Sequence, residues 1–172
     1  KKKKNYNSNA GYGWTIYSEP TGTGKYLTLN STATVANDAN FCSVVGSSTI
    51  TSYYTSSSFD HIAYFFTSIA GYSKVGNFSG SGSSGNFQNI GFTPTWIMIK
   101  AYQGGGSDWY ILDNKRPGGN TTREFLGANL VGGTYNASET NAMQFVTNGF
   151  QFGGSSFNTS GYDYIYLAIK EN

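Results

Sequence analysis

Apolar positions along this chain recur in short alternating runs, each soon cut off by a cluster of Gly, Ser or Asn. A period of two puts successive side chains on opposite faces of an extended strand, and no helix-length window sustains a period near 3.6. The pattern predicts strands at Trp14–Tyr17, Lys25–Leu29, Phe41–Val45, Thr49–Tyr54 and His61–Ile69. It predicts further strands at Ser73–Ser79, Trp96–Lys100, Asp108–Asp113, Glu124–Ala128, Gln144–Phe152 and Tyr162–Ile169. Within Gln144–Phe152, Asn148-Gly149 offers the positive φ values of a tight hairpin. Pro94 stands at a strand entrance, where a missing N–H does little harm. Residues 30–40 have room for one short turn of helix. The expected fold is therefore all-β, an antiparallel sandwich of jelly-roll type.

The runs are also related to one another. Trp14-Thr-Ile16-Tyr17 matches Trp109-Tyr-Ile111-Leu112 at an offset of 95 residues. Lys25-Tyr-Leu27 with Asn30 matches Glu124-Phe-Leu126 with Asn129 at 99, and Asp60-His-Ile62 matches Asp163-Tyr-Ile165 at 103. Two four-residue loop insertions produce that drift. Lys4-Asn-Tyr6 precedes Trp14 much as Lys100-Ala-Tyr102 precedes Trp109. The chain reads as two related β units, 1–70 and 71–172, packed together or separately. Gly71 to Lys100 has no counterpart in the first unit, which is therefore incomplete; a piece of a longer array is the favoured reading, a natural short form the other.

Composition narrows the chemistry. Gly, Ser, Thr and Asn make up 79 of 172 residues, and only 12% are charged, while aromatics reach 17%. Strong helix formers are scarce, yet the aromatics supply enough apolar surface to pack, which argues against disorder. The net charge of +2 comes from Lys1 to Lys4; the rest carries seven basic and nine acidic residues. A terminal lysine run reads as a tag or tail, so no nucleic-acid partner is expected. No apolar run is long enough for a membrane span, and no leader is visible. A single Cys42 and a single His61 exclude a disulfide framework and most metal and triad chemistry, so no cofactor is expected.

Several motifs dissolve on inspection. Gly80-Ser-Gly82-Ser-Ser-Gly85 satisfies G-x-G-x-x-G, but no helical period follows to aim N–H groups at a pyrophosphate, so it reads as a loop. Gly22-Thr-Gly24-Lys25 lacks the first glycine and the Ser/Thr of a phosphate loop and reads as a turn. Sequons begin at Asn30, Asn77, Asn120, Asn136 and Asn158, expected as exposed polar turns. Asp108 and Asp113 lie five apart on one strand, hence on opposite faces, and form no catalytic pair. Asp60 and Asp163 stand at strand starts, where Asp caps turns. Cys42 reads as a small buried apolar residue.

The aromatics carry what functional promise remains. Tyr6, Tyr12, Tyr53, Tyr54, Tyr102 and Trp109 lie beside polar loops or strand ends, where their faces could stack on sugar rings, and are the candidate ligand-binding residues. The competing role is core filling, and for Trp14, Trp96 and Trp109 it is the stronger one.

Taken as a set, Gly71-Tyr-Ser-Lys-Val-Gly76, Gly91-Phe-Thr-Pro-Thr-Trp-Ile-Met-Ile-Lys100, Trp109-Tyr-Ile-Leu-Asp113, Phe145-Val-Thr-Asn-Gly-Phe150 and Tyr164-Ile-Tyr-Leu-Ala168 resemble a β-rich tandem domain. That domain is found toward the C-terminal part of phage tail-fibre-like and other virion structural proteins, and in marine metagenomic homologues. The resemblance covers about 71–171 well, and 12–70 as a weaker copy. Phe66 and Ile69-Ala70 depart from the usual Cys and acidic stretch, and Ser84-Gly85 from an Asp-Gly. It implies a virion context, and no residue roles come with it. The resulting expectation is a non-enzymatic structural or adhesion module on the particle surface, extracellular after release. It would be a homo-oligomer, expected as a trimer, contacting other virion proteins or host polysaccharide. A capsid decoration protein or self-assembling filament subunit is the alternative, and a glycan depolymerase the third.

Overall fold

The computed structural model describes residues 13–46, 48–51 and 62–171. In chain order the strands are β1 (Thr15–Ile16), β2 (Lys25–Thr28), β3 (Ala36–Asn37), β4 (Val44–Val45), β5 (Ile50–Thr51), β6 (Ser73–Ser79), β7 (Phe87–Asn89) and β8 (Trp96–Gln103). They continue with β9 (Tyr110–Asp113), β10 (Thr121–Thr122), β11 (Glu124–Gly127), β12 (Tyr135–Asn136), β13 (Met143–Val146), β14 (Gly149–Phe152) and β15 (Asp163–Ile169). One 3-10 turn, Glu19–Thr21, is the only helical element among the described residues.

The protein is all-β and antiparallel, with a sandwich at its centre. A six-stranded sheet runs β12-β11-β9-β8-β15-β6, and a four-stranded sheet runs β10-β13-β14-β7. Their facing side chains make the main core: Ile97, Ile99, Leu112, Tyr164 and Tyr166 from one sheet meet Met143, Phe145, Phe150 and Phe152 from the other. Strand alternation selects that set, since every second residue of β8 and β15 points inward. Phe78 stacks on Tyr164 with ring centroids 4.9 Å apart, and Phe150 meets Tyr166 edge-on at 5.2 Å. Such offset and T-shaped contacts are the favourable aromatic geometries.

The opposite face of the six-stranded sheet is covered too. The three-stranded sheet β1-β2-β3 packs there, and Leu27, Trp109 and Ile165 form a second, smaller core. Lys100 lies on this face, fully buried: its ammonium donates to the Thr32 carbonyl at 2.9 Å and to the Ser107 carbonyl. It sits 5.9 Å from the centre of the Trp109 ring. Burial pulls its pKa down to about 8, partly opposed by Asp108. The two carbonyls accept two of the three N–H donors that the ammonium carries.

The sequence repeat is a repeat in three dimensions. Ile16 pairs with Leu27, as Ile111 pairs with Leu126. Lys25 and Tyr26 pair with Asn37 and Ala36, as Glu124 and Phe125 pair with Asn136 and Tyr135. The Leu29 amide donates to the Trp14 carbonyl as the Ala128 amide donates to the Trp109 carbonyl. The β4–β5 hairpin then follows β3 as β13–β14 follows β12. The meanders share their pairing although the connections between their strands differ in length, so strand register, and not composition alone, underlies the sequence matches.

Three expectations need correction. The strand expected at His61–Ile69 is absent: residues 62–68 are irregular, and only Ile69 forms an isolated bridge, to Ser73. A strand exists only by pairing, and among the described residues no strand pairs with this segment. Residues 30–40 hold β3 rather than a helical turn, because the Val35 amide is drawn to the Tyr102 carbonyl at 3.0 Å. In the Asn148-Gly149 hairpin only Asn148 has positive φ (63°); Val146 pairs with Gly149, so Thr147 and Asn148 make the loop. Gly149 is needed for close approach instead, since a Cβ there would collide with the Gln88 carbonyl of β7.

Candidate functional site

A cleft of about 660 Å³ opens where β8 begins and β9 ends. Trp96 and Asp113 face each other across the ladder there, and Trp96 also pairs with Ile169 of β15. Thr95 ties the three strands together. Its amide donates to the Ile169 carbonyl, its carbonyl accepts from the Asn114 amide at 3.0 Å, and its hydroxyl accepts from the Glu171 amide at 2.8 Å. Beyond β9 the chain turns through Asn114–Pro117. Asp113 organises this turn, accepting from the Lys115 amide at 3.0 Å and from Arg116 Nε at 2.8 Å. Arg116 in turn donates to Thr134 Oγ1 at 3.1 Å. Lys115 pairs with Glu171 at 2.6 Å, both side chains exposed.

The cleft thus presents one aromatic ring, from Trp96, among hydroxyl, amide and paired charged groups. Asn114 Nδ2 donates to Asn120 Oδ1 at 3.3 Å, while the buried Asn114 Oδ1 has no donor. Chemically this wall can exchange many single hydrogen bonds with a hydroxylated ligand and pack against one apolar ring face. Among the described residues, no group of three or more His, Cys, Asp or Glu side chains is placed to hold a metal ion. Asp108 and Asp113 do separate jobs: Asp108 accepts from Asn129 Nδ2 at 2.7 Å, and Asp113 holds the turn.

The candidate ligand residues fall in different places. Tyr6, Tyr12, Tyr53, Tyr54, and with them Asp60, His61 and Lys1 to Lys4, lie outside the described residues. Tyr102 is half-buried near the end of β8, packed against the second core. Burial and then the Asp163 carboxylate push its phenol above the usual range, with the Asn77 side chain opposing them. Trp109 is 3% exposed, and its Nε1 donates to the Thr28 carbonyl at 3.0 Å, so of its two possible roles it fills the core. Trp14 is 47% exposed and Trp96 half-buried, contrary to the core role expected of them. Trp96 leads β8 at the cleft mouth; a tryptophan opening a strand just after Pro94, with a charged turn Asp113–Arg116 opposite, was the available signal.

Cys42 is buried, as expected, and desolvation raises its thiol pKa. Gly80–Gly85 is a loop, with β7 and not a helix after it. Asn158 explains its shape and overturns one expectation: it is fully buried, not an exposed turn. Its Nδ2 lies within hydrogen-bond distance of the Ser83 and Gly154 carbonyls, 2.9 Å each, and of Ser81 Oγ. Its Oδ1 accepts from the Ser81 amide and Asn86 Nδ2. No helix among the described residues is long and apolar enough to cross a membrane.

Together these features define a β-sandwich protein with an internal repeat and a shallow polar cleft on its main sheet. The chain belongs to the DUF7483 family, a domain of unknown function, which it matches over residues 3–172. No curated protein and no solved structure matches it.

Proposed function

We propose that this protein is a non-enzymatic structural and adhesion module of a phage particle, and that the Trp96 cleft takes a neutral saccharide. The arrangement of Trp96 among Asp113, Asn114, Lys115, Thr134 and Glu171 carries the reading. Its charges are largely paired with one another, which suits an uncharged, hydroxyl-rich ligand better than an anion or cation. The virion setting is supported by the motif resemblance alone. Weak single contacts of this kind reach useful strength through multivalency, which a trimer on a particle surface, in contact with other virion proteins, would supply. Saturation-transfer NMR against host polysaccharides tests it. Expected is binding lost on Trp96→Ala and weakened roughly tenfold on Lys115→Ala, a surface change that spares the fold. Blank spectra across a host glycan panel would refute the adhesion role.

A second reading, as a capsid decoration protein or filament subunit, is favoured by one observation: Ile62, Tyr64, Phe65 and Phe66 are each more than 60% exposed. Light scattering separates a closed trimer from open-ended assembly.

A further inference from the structure

Among the described residues, the first repeat shows one half of a sandwich. Its β1-β2-β3 meander corresponds in order and register to β9-β11-β12, its β4–β5 hairpin corresponds in order to β13–β14, and by sequence residues 62–66 correspond to residues 165–169 of β15. In the second repeat β15 is an inner strand. It pairs along its whole length with β6 on one side and β8 on the other, and Tyr164, Tyr166 and Ala168 seal the core. Its counterpart carries the same apolar character, but among the described residues no strand is paired with it: beside it are the Trp14 ring, 6.1 Å from Tyr64, and hydrogen bonds from Ser73 and Val75 to Thr67 and Ser68. Ile62 is 71% exposed, Tyr64 70%, Phe65 72% and Phe66 62%. The hairpin shows the same deficit: Val44, Val45 and Ile50 are exposed, where Met143, Phe145 and Phe150 are buried.

We infer that this open face, residues 62–69 with the β4–β5 hairpin, is an interaction surface for a polypeptide segment built like Gly71–Gln103. That segment is what the second repeat uses to close the same surface. A folded second copy of the chain is a poor occupant, because its own β6 and β8 are already paired with β15. The repeat also sets the face and register. Phe65 takes the place of Ala168, which lies between Ile97 of β8 and Lys74 of β6, so Phe65 points into the closed core. Tyr64 takes the place of the half-exposed Leu167 and points away. Segments from neighbouring units would then close one another in series by strand addition. The inference is independent of the saccharide cleft on the other repeat.

The test adds a synthetic Gly71–Gln103 peptide to the full chain and follows amide exchange. A second form fuses the same segment, through a flexible linker, ahead of residue 1. Expected is a roughly 100-fold slowing of exchange across 62–69. Phe65→Asp, a change at an exposed position, should abolish it, and Tyr64→Ser should preserve it. The inference is overturned if neither form slows 62–69, or if a scrambled segment does so equally. Equal loss with both variants would overturn it as well, since that marks a merely sticky surface. So would a dimer of the unmixed chain that Phe65→Asp converts to monomer, because a second copy would then be the occupant.

Discussion

Replacing Lys100 by Met tests how the two repeats are joined. The ammonium is fully buried, and its hydrogen bonds reach Thr32, in the segment between β2 and β3, and Ser107, in the loop after β8. Burial lowers its pKa from 10.5 to about 8. The sign follows from proton counting. Between those values the unfolded chain binds a proton that the folded chain does not, so folding becomes more favourable as pH rises. The full effect is about 3 kcal/mol from below pH 8 to above pH 10.5, given 1.36 kcal/mol per pKa unit. Lys100→Met removes this dependence and leaves the two carbonyls unsatisfied, at a cost of about 2–4 kcal/mol. At pH 7 that cost is nearly offset by release from a desolvated charge; near pH 9.5 it is not. Urea unfolding at intervals from pH 7 to 9.5 reads the difference, below the ordinary range of phenol ionisation. Burial pushes the Cys42 thiol up, which opposes the rise equally in both proteins, so the difference between them is what reads Lys100. A wild-type-minus-variant gap that stays constant or narrows from pH 7 to 9.5 would refute the reasoning.

Two further outcomes follow from buried or clustered polar groups. Asn158→Ala should cost about 2–4 kcal/mol, because it strips the Gly80–Gly85 loop of its partners, and proteolysis should then cut within that loop. Glu139 accepts from Ser156 Oγ, from both polar groups of Ser155 and from Ser138, which holds its carboxyl down to about 2. Its stabilisation is therefore present above about pH 4.5 and lost as pH falls toward 2. The gap in unfolding midpoint between wild type and Glu139→Gln should close over that interval.

Much of the molecule could be read from the chain itself. A period of two, broken by Gly and Asn, is enough to specify strands, because alternation decides which side chains a sheet can bury; β6 was placed to the residue at Ser73–Ser79. The repeat was legible too, since strands that pair in the same register keep matching apolar residues even where the loops between them differ in length, as at Ile16 with Leu27 and Ile111 with Leu126. The two- and three-residue strands β3, β7, β10 and β12 lie below what a period can show.

Tertiary structure decided the rest, wherever an outcome depends on a distant partner. Residues 62–68 have the composition of an inner strand, yet only pairing makes one, and among the described residues no strand forms a ladder with them. Trp109 and Trp96 are both strand-associated tryptophans, and sheet layering alone separates them. One is covered by β1-β2-β3, and the other stands at an open cleft. Lys100 looked like the polar end of a strand and is a buried clamp, because Thr32, 68 residues away, supplies a carbonyl. Local pattern determines what a segment can become; the neighbours it meets determine which of those possibilities has the lower free energy.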